Sequence, residues 1–136
     1  MSEIEEGFYL AIMKDDPQDT SITATYTVHF INHTANPLAA IMTDTSGYVT
    51  FGDELIKAEG KRKDFGPIKA GGSVVIGAED EGSFDFDNSW TIMITTEENE
   101  TSTITFALHK YGINRKHGRS CVVPVLMEKG YLLGHN

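Results

Sequence analysis

The chain lacks several features that would place it in a specialised class of protein. One cysteine, Cys121, stands among 136 residues, so an internal disulfide is excluded and a reducing compartment is the default expectation. No apolar run approaches the ~20 residues that a transmembrane helix requires. The first six residues have neither the basic nor the apolar region of a signal peptide. We therefore expect a cytoplasmic protein that makes no membrane contact.

Positive charge is also scarce. The sequence has 11 Lys and Arg against 20 Asp and Glu, which gives a formal net charge of −9. Phosphate backbones and anionic lipid surfaces would repel such a chain, so nucleic acid is an unfavoured partner. The hydrophobic content of 40% and the charged content of 23% are typical of a globular protein. We expect an acidic N-terminal tail over residues 1–6 and a single domain over residues 7–136.

The segment from Ser21 to Asn32 carries the clearest structural pattern. Its apolar residues alternate with threonines and one histidine over about ten positions, and most of its side chains are β-branched or aromatic. A helix would scatter these apolar residues on all sides, whereas a strand places them on one face. The pattern predicts a β-strand with one buried face.

Similar short runs recur along the chain between turn residues. They lie at Phe8–Met13, Leu38–Thr43, Tyr48–Phe51, Ser73–Ala78, Trp90–Thr96, Thr103–Lys110 and Cys121–Leu126. Their spacing predicts an all-β fold, an antiparallel β-sandwich of about eight strands with immunoglobulin-like, Greek-key connections. Asp53–Glu59 suits either one helical turn or a strand.

The succession of strands resembles a known family. The resemblance rests on Phe-Ile-Asn-His-Thr at residues 30–34, followed by a second strand, and on Pro-Ile-Lys-Ala-Gly-Gly-Ser at residues 67–73. Over roughly residues 7–127 the chain is similar to the Smr-associated domain, a β-sandwich that precedes the small MutS-related (Smr) nuclease-like domain in some bacterial proteins. This resemblance implies a bacterial accessory module without a catalytic role, and it carries over no functional residues. Because no Smr domain follows Asn136, we expect no nuclease-linked role unless the chain is a fragment.

Two basic clusters stand out in the acidic chain, and both lie in predicted loops. They are the candidate binding residues: Lys61, Arg62, Lys63, Arg115, Lys116 and Arg119. Functional residues concentrate in loops on a rigid scaffold. If the two loops meet at one end of the sandwich, they form a patch for an acidic partner or phosphate. The alternative is two independent solvated loops.

Catalytic and metal chemistry have little support in the sequence. His29 and His33 are four residues apart, a spacing that suits a helix, but they lie on a predicted strand and its turn. The acidic stretch Glu79–Ser89 resembles the start of a calcium loop but lacks its glycine and its final glutamate. Cys121 opens an apolar strand, where a small buried residue is the ordinary interpretation. We expect no cofactor and no resident metal.

Three functions follow in order of preference. The first is a non-catalytic accessory module that binds a protein partner or a second copy of itself. The second is an extracytoplasmic domain that binds carbohydrate or a small ligand through Tyr48, Trp90 or Tyr111. The third is a metal-assisted enzyme, which requires at least three residues among His29, His33, His109, His117, Asp85 and Asp87 to converge.

Overall fold

Alternating apolar and polar residues produce β-strands throughout the part of the chain that the structure describes. The computed structural model describes residues 4–16, 18, 21, 23–44, 47–51, 54–58, 62–80, 88–108 and 118–134. The first strands are β1 (Gly7–Lys14), β2 (Thr25–His33), β3 (Leu38–Asp44), β4 (Gly47–Phe51), β5 (Glu54–Ala58) and β6 (Arg62–Ile68). The others are β7 (Ser73–Asp80), β8 (Asn88–Thr96), β9 (Thr101–Leu108), β10 (Gly118–Val123) and β11 (Glu128–Gly134). No helix occurs among these residues.

The strands form two larger antiparallel sheets and one hairpin. The five-stranded sheet has the order β10-β11-β1-β2-β7, and the four-stranded sheet has the order β6-β3-β8-β9. Strands β4 and β5 pair with each other as a two-stranded sheet. The edge strands β6 and β7 lie near each other, and the edge strand β9 lies near β11, the second strand of the five-stranded sheet.

Strands β2 to β7 form one long hairpin whose pairs are nested. The β4–β5 pair lies inside the β3–β6 pair, which lies inside the β2–β7 pair. The outer pair belongs to the five-stranded sheet and the middle pair to the four-stranded sheet. Both arms therefore change sheets, at residues 34–37 and at residues 69–72.

The main buried cluster draws side chains from both sheets. The five-stranded sheet contributes Leu10, Ile12, Val28, Phe30, Tyr131 and Leu133. The four-stranded sheet contributes Leu38, Ile41, Ile68, Ile92, Ile94, Phe106 and Leu108. Within a strand these residues occupy alternate positions, as expected when one face of the strand meets a core. The exception is Leu38 and Ile41 in β3, where the pairing with β6 is irregular. Apolar burial on this scale is the main source of stability for such a fold.

The five-stranded sheet is also buried on its other face. Ala11, Met13, Ile31, Val123 and Leu132 form a second buried cluster there, which we call the outer cluster. Partly buried apolar residues pack against it: Ile4, Tyr9, Cys121, Val125 and Leu126. Strand β1 is consequently buried on both faces, which explains why Leu10, Ala11, Ile12 and Met13 are consecutive buried residues.

Gly130 makes room for the outer cluster. A Cβ atom at this position would overlap Met13 Sδ and would lie 3.2 Å from Val123 Cγ2. The nearby turn also has an unusual backbone, because Val125 has a φ angle of 72°. Leu126 N donates a hydrogen bond of 2.8 Å to Pro124 O across this turn. That three-residue turn is strained for a β-branched residue. It places Val125 and Leu126 against the outer cluster.

A fully buried asparagine joins the two places where the long hairpin changes sheets. Asn32 Nδ2 donates to the carbonyl of Asn36 at 2.9 Å and to that of Lys69 at 3.1 Å. Its Oδ1 accepts from Thr34 Oγ1 at 2.7 Å, and its backbone N–H donates to Gly72 O at 2.9 Å. Asn32 therefore ties both crossing segments to the last residues of β2.

The structure confirms an all-β chain and corrects several details of the sequence prediction. Eleven strands are present among the described residues rather than about eight. The helical alternative for Asp53–Glu59 is wrong, because Glu54–Ala58 is strand β5. Arg62 and Lys63 lie in strand β6, and Arg119 lies in strand β10, so these three residues are not in loops. The whole of β11 was missed, because Gly130 breaks its apolar pattern.

Replacement of the buried amide tests its role as a tie between the sheets. We expect Asn32→Asp to lower the free energy of unfolding by about 3 kcal/mol at neutral pH, because a carboxylate cannot donate to the two carbonyls and instead buries a negative charge beside their oxygens. Urea denaturation measures the change. The exposed Asn36 gives the matched control, Asn36→Asp, for which we expect a change within about 0.5 kcal/mol. Equal effects of the two substitutions would contradict the role given to Asn32.

The close approach at Gly130 gives a second stability prediction. Gly130→Ala should cost about 1–3 kcal/mol, because the added methyl group overlaps Met13 and crowds Val123. In a Met13→Ala background the same substitution should cost clearly less, and a double-mutant cycle by thermal or urea denaturation measures the difference. Gly77→Ala is the control in the same sheet, since nothing lies within 4 Å of its added Cβ. A cost at Gly130 that does not depend on residue 13 would refute the explanation.

Candidate functional site

Several connections meet at the end of the molecule that contains Asn32. Strands β1, β3, β7 and β9 begin there, and strands β2, β6, β8 and β11 end there, as the antiparallel registers require. The connections at this end are residues 34–37, residues 69–72 and the β8–β9 turn at residues 97–100. Loops that meet on a rigid scaffold are the usual place for a binding site.

A groove opens between these connections and the start of β1, and we call it the Phe8 groove. Its volume is about 310 Å³. The residues that line it are Phe8, Thr34, Asn36, Pro37, Leu38, Thr96, Glu97 and Glu98. Leu38 is buried, and the half-buried Phe8 ring stacks on the core residue Phe30 with the ring centroids 5.8 Å apart. The apolar part of the groove is thus continuous with the main core.

One wall of the groove is a tightly hydrogen-bonded hairpin turn. Thr96 N donates to Glu100 O at 2.9 Å, and Asn99 N donates to Thr96 O at 3.0 Å. Glu100 N donates to Thr96 Oγ1 at 3.2 Å. Asn99 has a φ angle of 65°, a left-handed conformation that asparagine tolerates better than most residues. This turn holds the exposed side chains of Glu97 and Glu98 at the rim of the groove.

The opposite wall is the connection from β2 to β3. Its conformation is fixed by Thr34, whose hydroxyl accepts from Asn36 N at 3.2 Å and shares its one proton between Asn32 Oδ1 at 2.7 Å and Asn36 O at 3.0 Å. The tie from Asn32 to Asn36 adds to this local network. Both walls are therefore held by hydrogen bonds that do not depend on a ligand.

The described charges at this end are mostly negative. The carboxylates are Glu5, Glu6, Glu97, Glu98 and Glu100, and the one basic residue on the described connections at this end is Lys69. Neighbouring carboxylates in solvent repel each other weakly and attract cations. The groove thus combines an apolar floor with a negatively charged rim.

The predicted basic patch is only partly described. Arg62 and Lys63 are exposed on β6, and Lys63 Nζ lies 5.1 Å from the centroid of the Phe65 ring. Arg119 lies on β10 in register with Leu132. Lys61, Arg115 and Lys116 lie outside the described residues. The patch as a whole stays a prediction.

The strands that carry Arg62, Lys63 and Arg119 are not neighbours. Strand β6 lies beside β7, whereas β10 forms the other edge of the five-stranded sheet. These edges are four strand spacings apart, roughly 20 Å at about 4.8 Å per spacing. Arg62 and Lys63 also begin β6 at the end away from Asn32, whereas Arg119 is near the Asn32 end. The structure therefore does not place Arg62 and Lys63 of the predicted basic patch on a strand next to that of Arg119.

A second group of polar residues lies on the outer face of the five-stranded sheet. Asp15 accepts hydrogen bonds from the hydroxyl groups of Thr25 and Thr27, at 2.7 and 2.5 Å, and these bonds hold the pKa of its carboxyl below the usual value of 3.8. Burial lowers the pKa of His29 below 6.5, while the negative charges of Glu128 and Asp15 act in the opposite direction. The net effect is that neutral His29 is favoured in the folded protein.

The described residues offer no metal site. They contain no group of three His, Cys, Asp or Glu side chains able to hold an ion. His29 and His33 lie on β2, and His33 Nε2 is 3.2 Å from Ile4 O. The other members of the predicted metal set, His109, His117, Asp85 and Asp87, lie outside the described residues, as does most of the acidic stretch that resembles a calcium loop.

Trp90 does not form an exposed platform for a sugar. It is half-buried on β8 and packs against the main cluster opposite Phe106. Tyr111 lies outside the described residues, and Tyr48 is placed on β4. Cys121 is half-buried and packs against the outer cluster. Among the described residues, no helix has the length and apolar character needed to cross a bilayer.

The Phe8 groove is not among the sites predicted from the sequence. One signal was available, since Glu97-Glu98-Asn99-Glu100 is an acidic turn between two threonine-rich strands. The sequence around this turn does not indicate that it faces Asn36 and Pro37, because their proximity depends on the pairing of β3 with β8.

Comparison of the chain with protein-family profiles, with curated proteins and with solved structures finds no match. The resemblance to the Smr-associated domain therefore stays a prediction.

The lowered pKa of His29 predicts how stability responds to pH. Because the folded-state pKa lies below the unfolded value, the unfolded chain binds the proton first as pH falls. The free energy of unfolding should therefore decrease as pH falls through and below 6.5. His29→Gln, which stays neutral, should make this decrease smaller. Urea denaturation at a series of pH values measures both slopes, and identical slopes for the two proteins would contradict the assignment.

Proposed function

We propose that the chain is a non-catalytic binding module of the β-sandwich type, which recognises a segment of a partner protein in the Phe8 groove. The observation that carries the proposal is a groove with an apolar floor whose two walls are hydrogen-bonded in place. Binding sites of this kind are concave, largely apolar and formed before the ligand arrives.

The shared core supports the sandwich part of the proposal. Side chains from both sheets form one cluster, and the connections β2–β3, β6–β7, β7–β8 and β9–β10 each lead from one sheet to the other. Crossing connections and antiparallel pairing are typical of Greek-key sandwiches. In this arrangement the Phe8 groove opens at one end, where sandwich domains commonly carry their binding loops.

The basic residues are a second proposed location. Arg62 and Lys63 are exposed on β6, which is an edge strand of its sheet among the described residues. Asp64 Oδ1 accepts from Gly66 N at 2.7 Å, and Gly66 has a φ angle of 75°, so β6 is locally irregular. Such an edge is poorly suited to pairing with another strand. Contact here would rely on side-chain charge.

A peptide-display selection tests the proposed function. Peptides enriched on the intact chain should bind Asn36→Trp about tenfold more weakly, because a bulky side chain there fills the groove while the backbone contacts of residue 36 are retained. Ala70→Trp is the matched control, since Ala70 is exposed at the same end but does not line the groove. We expect this control to bind the peptides as the intact chain does.

Two outcomes would overturn the groove as the binding site. In the first, selection enriches no peptide; in the second, the enriched peptides bind Asn36→Trp and the intact chain equally well. A variant with alanine at Lys61, Arg62, Lys63, Arg115, Lys116 and Arg119 separates the two locations. Loss of binding in that variant alone would assign the function to the basic residues.

A further inference from the structure

The geometry points to a basic protein segment as the occupant of the Phe8 groove, specifically a lysine or arginine between apolar residues. This inference rests on the proposed function and adds the chemistry of the partner. It follows from two properties that the groove combines, its apolar floor and its negatively charged rim.

The rim supplies charge complementarity. Glu97 and Glu98 are adjacent, exposed and at the tip of a turn whose backbone is held by three hydrogen bonds. Among the described residues neither carboxylate has a cationic partner. Placing a cation between two like charges relieves their repulsion. A carboxylate on the ligand would add to that repulsion.

The floor suits the stem of a long basic side chain. Lysine and arginine bury their methylene groups along apolar surface while the charged head stays near water. Here the stem would lie against Pro37 and the half-buried ring of Phe8, and the head would reach Glu97 or Glu98. A cation near an aromatic face gains a further favourable interaction.

Other occupants fit less well. Nucleic acid and anionic lipid carry charge of the same sign as the rim. A bare metal ion would leave the apolar floor unused, and no metal-binding group is found among the described residues. A second copy of this chain has a net charge of −9, so the overall charge of the two chains opposes their association. A basic segment of another protein uses both the rim and the floor.

Peptide titration followed by ¹⁵N NMR tests the inference on the intact chain. The probe is the end-blocked peptide Gly-Leu-Lys-Leu-Gly, and its two analogues carry norleucine or glutamate in place of lysine. We expect the lysine peptide to shift the amide signals of Leu38, Thr96, Glu97 and Glu98. It should bind about fivefold more tightly than the norleucine analogue, and the glutamate analogue should bind most weakly.

Charge neutralisation of the rim gives the matched comparison. In the double variant E97Q/E98Q the preference for lysine over norleucine should largely disappear. In the double variant E5Q/E6Q, which removes two charges at the same end outside the groove, the preference should remain. These two variants have the same net charge, so a general effect of charge would affect both equally.

The outcomes separate this inference from the proposed function. If norleucine and lysine peptides bind in the groove equally well, the basic occupant is wrong and the groove remains a peptide-binding site. If E97Q/E98Q keeps the lysine preference, or if no peptide shifts the groove signals, the inference is also wrong. The display selection then decides the proposed function by itself. A rise in apparent mass without added peptide that is lost in Asn36→Trp would assign the groove to a second copy and would likewise overturn the inference.

Discussion

A single buried side-chain amide sets the relation between the two sheets at one end of the molecule. Asn32 satisfies its donors on the carbonyls of Asn36 and Lys69, and these carbonyls belong to the two segments that cross between the sheets. An amide at 0% exposure would be costly without such partners. These two hydrogen bonds fix the position of each crossing segment relative to β2. The two arms of the long hairpin therefore pass from one sheet to the other next to each other, both beside Asn32. A buried polar group of this kind specifies geometry more than it adds stability.

The five-stranded sheet adds a second constraint, because its central strand is buried on both faces. Burial of Leu10 and Ile12 on one face and of Ala11 and Met13 on the other leaves β1 no solvent-facing side. In the outer cluster, Met13 occupies the space that the absence of a side chain at Gly130 leaves. The strained turn at Val125 places apolar residues against the same cluster. Strain in that turn is offset by burial of Val125 and Leu126 against the cluster. The turn therefore has a structural explanation and requires no ligand.

Strands with a regular alternation could be predicted from the sequence, and strands with a local interruption could not. Residues 25–33 alternate cleanly and were predicted as a strand, and Trp90–Thr96 falls within β8. Strand β6 contains Arg62, Lys63, Gly66 and Pro67, so its composition indicates a loop, although it pairs with β3 across a bulge. Strand β11 could not be predicted for a related reason, because Gly130 interrupts its apolar pattern. A glycine is needed there to leave space for Met13, which is more than a hundred positions away in sequence. The same limit applies to the groove, whose two walls are distant in sequence and meet only through sheet pairing.

The two ends of the long hairpin differ in how firmly they are held, and this difference bears on where binding is favourable. At the Asn32 end the crossing segments are tied to β2, and the neighbouring turn is closed by its own hydrogen bonds. At the other end β4 and β5 pair with each other and, among the described residues, with neither larger sheet. A two-stranded hairpin that stands alone is marginally stable in water. A ligand in the Phe8 groove meets walls that are already in place, and its binding energy is not spent on ordering the protein. The Asn32 end is therefore where we propose recognition, with the charge of its rim favouring a basic segment.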